Sequence, residues 1–189
     1  FRPNDNISRQ QFAVMLYRYL GLDGTQYESV TLPFADNASI GDYALTAVKA
    51  LYTEGIINGS TGSDGRLYFN PGGSLTRAQA AAMIGRTQEK GYAIVDLTFS
   101  DTASIPAYAT YYIQTMAAQG VISGYADGTF APNKAITRQE MAKVLYGYDK
   151  TIGKAKNEAA TELTYTDLTS IADWALEGVH YCTAAKYLS

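Results

Sequence analysis

The feature that most constrains this chain is that it repeats itself. One series runs Phe34-Ala35-Asp36, Ile40, Tyr43-Ala44, Gly55-Ile56-Ile57-Asn58-Gly59, Phe69-Asn70-Pro71 and Leu75-Thr76-Arg77-Ala78-Gln79. The same series returns as Phe99-Ser100-Asp101, Ile105, Tyr108-Ala109, Gly120-Val121-Ile122-Ser123-Gly124, Phe130-Ala131-Pro132 and Ile136-Thr137-Arg138-Gln139-Glu140. The ends of the chain carry halves of it. Residues 1–21 hold only the back half, Phe1-Arg2-Pro3 and Ile7-Ser8-Arg9-Gln10-Gln11, and residues 165–189 only the front half, Tyr165-Thr166-Asp167, Ile171 and Trp174-Ala175. Spacing is kept throughout: eight residues from Phe to Arg in every back half, seven from Asp to the aromatic residue in every front half. The chain thus divides into a back half at 1–21, complete repeats at 34–86 and 99–147, and a front half at 165–189. Connectors 22–33, 87–98 and 148–164 differ in length and composition, as surface linkers do.

Each half predicts a helix. After the aromatic residue of the front half, apolar side chains fall at Ala44, Ala47, Val48, Leu51 and Tyr52, and again at Ala109, Tyr112, Ile113, Met116 and Ala117. That is the stripe of a helix with one buried face. The last copy, Ala175, Gly178, Val179, Cys182 and Thr183, is a weaker stripe. Gly55 and Gly120 suit left-handed C-caps, and Lys186 stands in their place in the last copy. In the back halves, Ser8, Thr76 and Thr137 precede Gln11, Gln79 and Glu140 by three residues, which spells a capping box three times. The stripes behind them are Phe12, Ala13, Leu16, Tyr17; the smaller Ala80, Ala81, Ile84, Gly85; and Met141, Ala142, Leu145, Tyr146. Asp64-Gly65 and Asp127-Gly128 mark turns between the halves. The expected fold class is all-α, helix–loop–helix repeated three times.

Composition narrows the function. With 15 Lys and Arg against 18 Asp and Glu, a net charge of −3 supplies no basic footprint for nucleic acid or for lipid headgroups. No apolar stretch approaches the roughly 20 residues of a membrane helix. No charged start followed by an apolar run opens the chain, so any signal peptide is expected to have been removed or never present. A single cysteine, Cys182, excludes an internal disulfide, and a single histidine, His180, leaves little material for a metal site or a catalytic triad. Cys182 falls on a core stripe and His180 on a polar face. The Asp-Gly loops lack the alternating ligands and closing Glu of a calcium loop. No nucleophile motif, phosphate loop or recurring acid pair is present. Neither catalysis, metal nor cofactor is expected. The 16 tyrosines suit sugar or protein contacts as well as packing.

Three arginines, Arg9, Arg77 and Arg138, stand at first helical positions, where a cation opposes the helix dipole. Two readings stand side by side: a clamp for a ligand carboxylate or phosphate, aided by free helix N–H groups, and an internal ion pair with the Asp of the Phe-x-Asp element. Asp36, Asp101 and Asp167 read as structural, capping a helix or accepting from a turn. Tyr43, Tyr108 and Trp174 suit either stacking on a sugar face or anchoring a helix start.

Taken in order, Phe-x-Asp, aromatic-Ala, Gly-[IV]-Ile-x-Gly, a Gly-rich turn, Phe-x-Pro and [IL]-[ST]-Arg-x-[EQ] resemble the S-layer homology (SLH) repeat, across essentially the whole chain outside the connectors. The resemblance implies a secreted, bacterial cell-surface anchoring module, three-lobed and pseudo-threefold around a central helical bundle, its third lobe here split between the termini. It implies non-covalent binding of a secondary cell-wall polysaccharide, commonly pyruvylated, or a peptidoglycan-linked glycan, in grooves between lobes. The family's motif arginine corresponds to Arg9, Arg77 and Arg138, and its binding-groove glycine to Gly59 and Gly124, with Tyr125 following the second.

This chain departs from the pattern in places. Its motifs read Ser-Arg-Gln-Gln, Thr-Arg-Ala-Gln and Thr-Arg-Gln-Glu, so only the third keeps the acid; Ser60 stands where the other repeat has Tyr125, and the loop 60–68 is longer than 125–129. Three equal sites are therefore not expected. The terminal halves could close on each other within one chain, the favoured arrangement, or dock head-to-tail between chains. The alternative to a glycan anchor is a self-assembly module whose arginines cement the halves.

Overall fold

The computed structural model describes residues 1–88, 91–155 and 162–188; parts of the connectors 87–98 and 148–164, and Ser189 of the last half, lie outside the described residues. By their contacts the residues form two compact units, Ile7–Leu75 and a second made of Phe1–Asn6 with Thr76–Ser189. The first holds helices α1 (Arg9–Leu20) and α2 (Asp42–Thr53); the second holds α3 (Arg77–Gly85), α4 (Ala107–Ala118), α5 (Arg138–Thr151) and α6 (Asp173–Ala184). The class is all-α, as the stripes predict. One small departure is the hairpin of β1 (Ser60–Thr61) and β2 (Leu67–Tyr68), in the longer of the two loops. The extra residues let Gly62 donate to the Arg66 carbonyl at 2.8 Å and bring Asp64 to Arg66 at 2.7 Å.

All three capping boxes form. The Gln11 side chain accepts the Ser8 N–H at 2.9 Å, that of Gln79 the Thr76 N–H at 3.2 Å, and that of Glu140 the Thr137 N–H at 2.8 Å, while each hydroxyl accepts the N–H three residues on. Reciprocal caps of this kind satisfy donors that a helix start otherwise leaves open, and each contributes on the order of 1 kcal/mol.

The helices pack in pairs, α1 on α2 in the first unit, α3 on α4 and α5 on α6 in the second. Each back-half helix therefore lies against the front-half helix that follows it in the chain. The stripes that look small or weak are those of closest approach. A Cβ on Gly178 would lie 2.8 Å from the Lys143 Cα, and one on Gly85 would overlap the Tyr112 ring. Ala175, Val179 and Cys182 are fully buried, so the weak stripe is a core stripe. Lys186 takes the left-handed conformation, φ +60°, that Gly55 and Gly120 adopt at φ +71° and +69°.

One substitution pattern explains itself. The side-chain oxygen of Gln10 accepts the N–H of Gly41, the N-cap of α2, at 3.0 Å, and that of Gln139 accepts the N–H of Ala172, the N-cap of α6, at 2.9 Å. In the α3–α4 pair the same places hold Ala78 and Pro106, an alanine without an acceptor opposite a proline without an N–H. Ala78→Gln or Pro106→Ala alone is expected to destabilise, since each leaves one polar group unmatched. The double variant should recover about 1 kcal/mol relative to the sum of the two, measured by urea unfolding. Strict additivity would contradict the complementarity.

Candidate functional site

The site begins with the turn after each Phe of the back half. Arg2, Asn70 and Ala131 have φ of +55°, +56° and +54°, a left-handed residue that points two successive N–H groups the same way. An Asp carboxylate takes both. Asp36 accepts from Phe69 at 2.9 Å and Asn70 at 2.7 Å, and Asp101 from Phe130 and Ala131, each at 2.8 Å. Asp167 accepts from Phe1 at 2.9 Å and Arg2 at 2.6 Å, in the same chain, with the Phe1 and Tyr165 rings stacked at 5.2 Å. Hydrogen bonds from the Phe1 N and then the Arg2 N–H hold the Asp167 carboxyl below its usual range.

The arginine grips the carbonyl of the same phenylalanine. Arg9 Nε donates to Phe69 O at 2.7 Å, Arg77 Nε to Phe130 O at 2.8 Å and Arg138 Nε to Phe1 O at 2.8 Å. The link expected as an ion pair thus runs through a shared phenylalanine, its N–H held by Asp and its C=O by Arg. None of the three Asp side chains caps the short 3-10 turn that follows it; they accept from a turn elsewhere in the sequence.

Arg77 does more than this. Its Nη2 donates to Ser123 O at 3.0 Å, and its guanidinium lies 4.5 Å from the Tyr125 ring centroid and 4.7 Å from that of Phe130. The residue is only 9% exposed, yet it lines a cavity of about 500 Å³ whose apolar lining includes Ala80, Ala81, Val121, Ile136 and Val144. Two of the five donors of the guanidinium are taken by main-chain oxygens, which fixes its plane. Gly124, also in the lining, has no room for a side chain: a Cβ would lie 2.8 Å from Thr129 O and 2.9 Å from the Phe99 ring. The main chain can therefore form the wall here.

Glu140 shares the lining with Arg77, and both side chains meet Tyr125. Its carboxylate accepts from the Thr137 N–H at 2.8 Å, the Thr137 hydroxyl at 3.0 Å and the Tyr125 hydroxyl at 2.8 Å. Burial works against its charge, but these hydrogen bonds and the Arg77 charge outweigh it and hold the carboxyl below the ordinary 4.5. A depressed folded value means that this cap contributes its full stability above the ordinary value and loses it as pH falls through the lowered one. At the rim Trp174 is 51% exposed, with Lys143 Nζ 5.3 Å from its ring. Lys134 Nζ lies 4.2 Å from the Tyr125 ring.

Of the residues singled out from sequence, the cavity brings together Arg77, Gly124, Tyr125 and Trp174. Arg9, Arg138, Gly59, Asp36, Asp101, Asp167, Tyr43 and Tyr108 do not line it. Gly59 is crowded as Gly124 is, with a Cβ that would meet the Phe34 ring at 2.7 Å and Tyr68 O at 2.9 Å, but it takes the left-handed φ of +68° and Gly124 does not. Tyr43 and Tyr108, at the starts of α2 and α4, are 61% and 47% exposed. Sequence reasoning missed Ser123, which offers only its carbonyl, and Lys143. A signal for Lys143 existed: aligned on the motif arginine, it stands where the other back halves have Val14 and Ala82. Among the described residues no cluster of His, Cys, Asp or Glu could hold a metal ion, and no helix is long and apolar enough to cross a membrane.

Comparison with known proteins bears on the family of the chain. The family sequence model described as "S-layer homology domain" matches residues 33–81 and 98–142. An endoglucanase of Bacillus sp. (strain KSM-635) is 34% identical over 152 residues, covering 77% of this chain and 15% of that protein. The Surface-layer 125 kDa protein of Lysinibacillus sphaericus is 31% identical over 156 residues, covering 78% of this chain and 12% of its own length. The Cellulosome-anchoring protein of Acetivibrio thermocellus is 29% identical over 124 residues, 64% of this chain and 27% of that one. The chain spans only a minor part of each of these relatives.

Proposed function

The chain belongs to the S-layer homology family and is a cell-surface anchoring module, and on that premise we propose that it anchors by binding an anionic, pyruvylated cell-wall polysaccharide in the cavity headed by Arg77. The observation that carries the proposal is the Arg77 guanidinium, fixed by two carbonyls and two aromatic rings at the edge of a largely apolar cavity with an exposed tryptophan at its rim. Such a fork binds a carboxylate in two-point fashion. The apolar lining suits the methyl group of a pyruvate ketal, and Trp174 suits the face of a sugar ring. Arg9 with Gly59, and Arg138, are proposed as weaker contacts of the same kind, with Tyr43 and Tyr108 as sugar platforms. The three aspartates are proposed to act indirectly, by holding the phenylalanine turns. In every copy the arginine Nε serves the fold, and at Arg77 recognition is proposed to use the donors not given to the Phe130 and Ser123 carbonyls.

Titration calorimetry with wall polysaccharide, before and after mild acid removal of pyruvate, tests the reading. Binding to the intact polymer alone is expected, weakening as salt is raised. Equal binding to both forms would move recognition to neutral sugar contacts, and binding to neither would overturn the proposal.

A further inference from the structure

The charged side chains lining the cavity are Arg77, Lys143 and Glu140. Two cations against one carboxylate leave the lining with a net charge of +1. Glu140 is held ionised by three donors of the protein itself, so it has no need of a cation from a ligand. Lys134, which stacks on Tyr125, does not line the cavity. In the other two back halves the same position is Gln11 or Gln79, which closes the same capping box without a charge. The carboxylate at 140 is therefore not required by the cap. What it adds is a fixed negative charge beside the arginine that a ligand anion must meet.

We propose that Glu140 is a specificity-determining residue that makes the Arg77 cavity select singly charged carboxylate ligands over doubly charged phosphate esters. The inference rests on the reading of the cavity as an anion site. Each negative charge a ligand brings is attracted by Arg77 and Lys143 and repelled by Glu140. The apolar lining favours the ketal with its methyl group over a phosphate ester. A dianion meets the Glu140 repulsion twice and a monoanion once, so the carboxylate lowers the affinity for a dianion by one charge interaction more than for a monoanion. In a partly buried, mostly apolar cavity that repulsion is screened far less than in water.

Two small probes separate the cases, the 4,6-pyruvate ketal of methyl glucoside, a monoanion, and glucose 6-phosphate, a dianion at pH 7.5. The wild-type chain is expected to bind the ketal more tightly. Glu140→Gln is expected to narrow that preference by on the order of five- to tenfold, mainly through tighter phosphate binding, the size of one added charge interaction at moderate effective dielectric. Because Gln11 and Gln79 already close the same box, the melting temperature of E140Q serves as a folding control. An unchanged preference, or equal weakening of both probes as a purely structural role would give, overturns the inference and leaves the anion site standing. Binding of neither probe by the wild-type chain overturns both.

Discussion

Arg77→Ala is expected to cost about 100-fold in affinity for the wall polysaccharide, near 3 kcal/mol, the usual scale for removing one partner of a desolvated charged contact. The same change should lower stability by about 1–3 kcal/mol, because the Phe130 and Ser123 carbonyls lose their donors. Arg77→Lys separates the two effects of charge and shape. It keeps the cation but cannot reach two carbonyls and a carboxylate with one ammonium, so most of the affinity should still be lost. Arg9→Ala and Arg138→Ala remove the equivalent grip on Phe69 and Phe1 and should destabilise comparably. Their effect on affinity should be smaller, since neither lines the cavity. A wild-type affinity in R77A with a lowered melting temperature would make the arginines cement and nothing more.

Asp101→Ala is expected to give the largest loss of stability among the polar substitutions, about 2–4 kcal/mol by chemical unfolding. Two N–H groups of a left-handed turn, those of Phe130 and Ala131, then lose a charged acceptor. Asp101→Asn keeps one acceptor and should fall between. Affinity should drop as well, because the Phe130 ring forms one side of the Arg77 slot. Asp36→Ala provides the control. It breaks the same turn around Phe69 in the Ile7–Leu75 unit, none of whose residues lines the cavity. A loss of stability without a loss of affinity is the expected result there. Tolerance of Asp101→Ala would show that the left-handed turn needs no carboxylate.

How much of this could be read from sequence follows the range of the interaction. The capping boxes were legible because the cap and its partner are three residues apart, and the stripes because helix period is local. The helix pairing was not, since packing α3 on α4 depends on Gly85 meeting Tyr112, a contact that no local pattern encodes. The need for Gly124 was legible as a repeated glycine, but its cause, the Phe99 ring pressed against it, is tertiary. The arginines were found by their odd place at helix starts, yet sequence left open whether they face ligand or fold. The structure places Nε of each on a phenylalanine carbonyl, Nη2 of Arg77 on the Ser123 carbonyl, and Arg77 in the cavity lining. Glu140 was visible as the one acid among three otherwise equivalent motifs. Its position beside Arg77 was not, because it arises from α5 presenting Glu140 and Lys143 to a wall built from other segments.

Trp174 is the sole tryptophan of the chain and stands at the rim of the proposed site, so its fluorescence reports on that site alone. Titrating the protein with purified wall polysaccharide, with excitation selective for tryptophan, tests the central claim most directly. The account predicts a saturable change with the intact polymer, abolished by Arg77→Ala and by removal of pyruvate. A change that persists in R77A, or none at polymer concentrations where calorimetry records binding, would place recognition outside this cavity and contradict it.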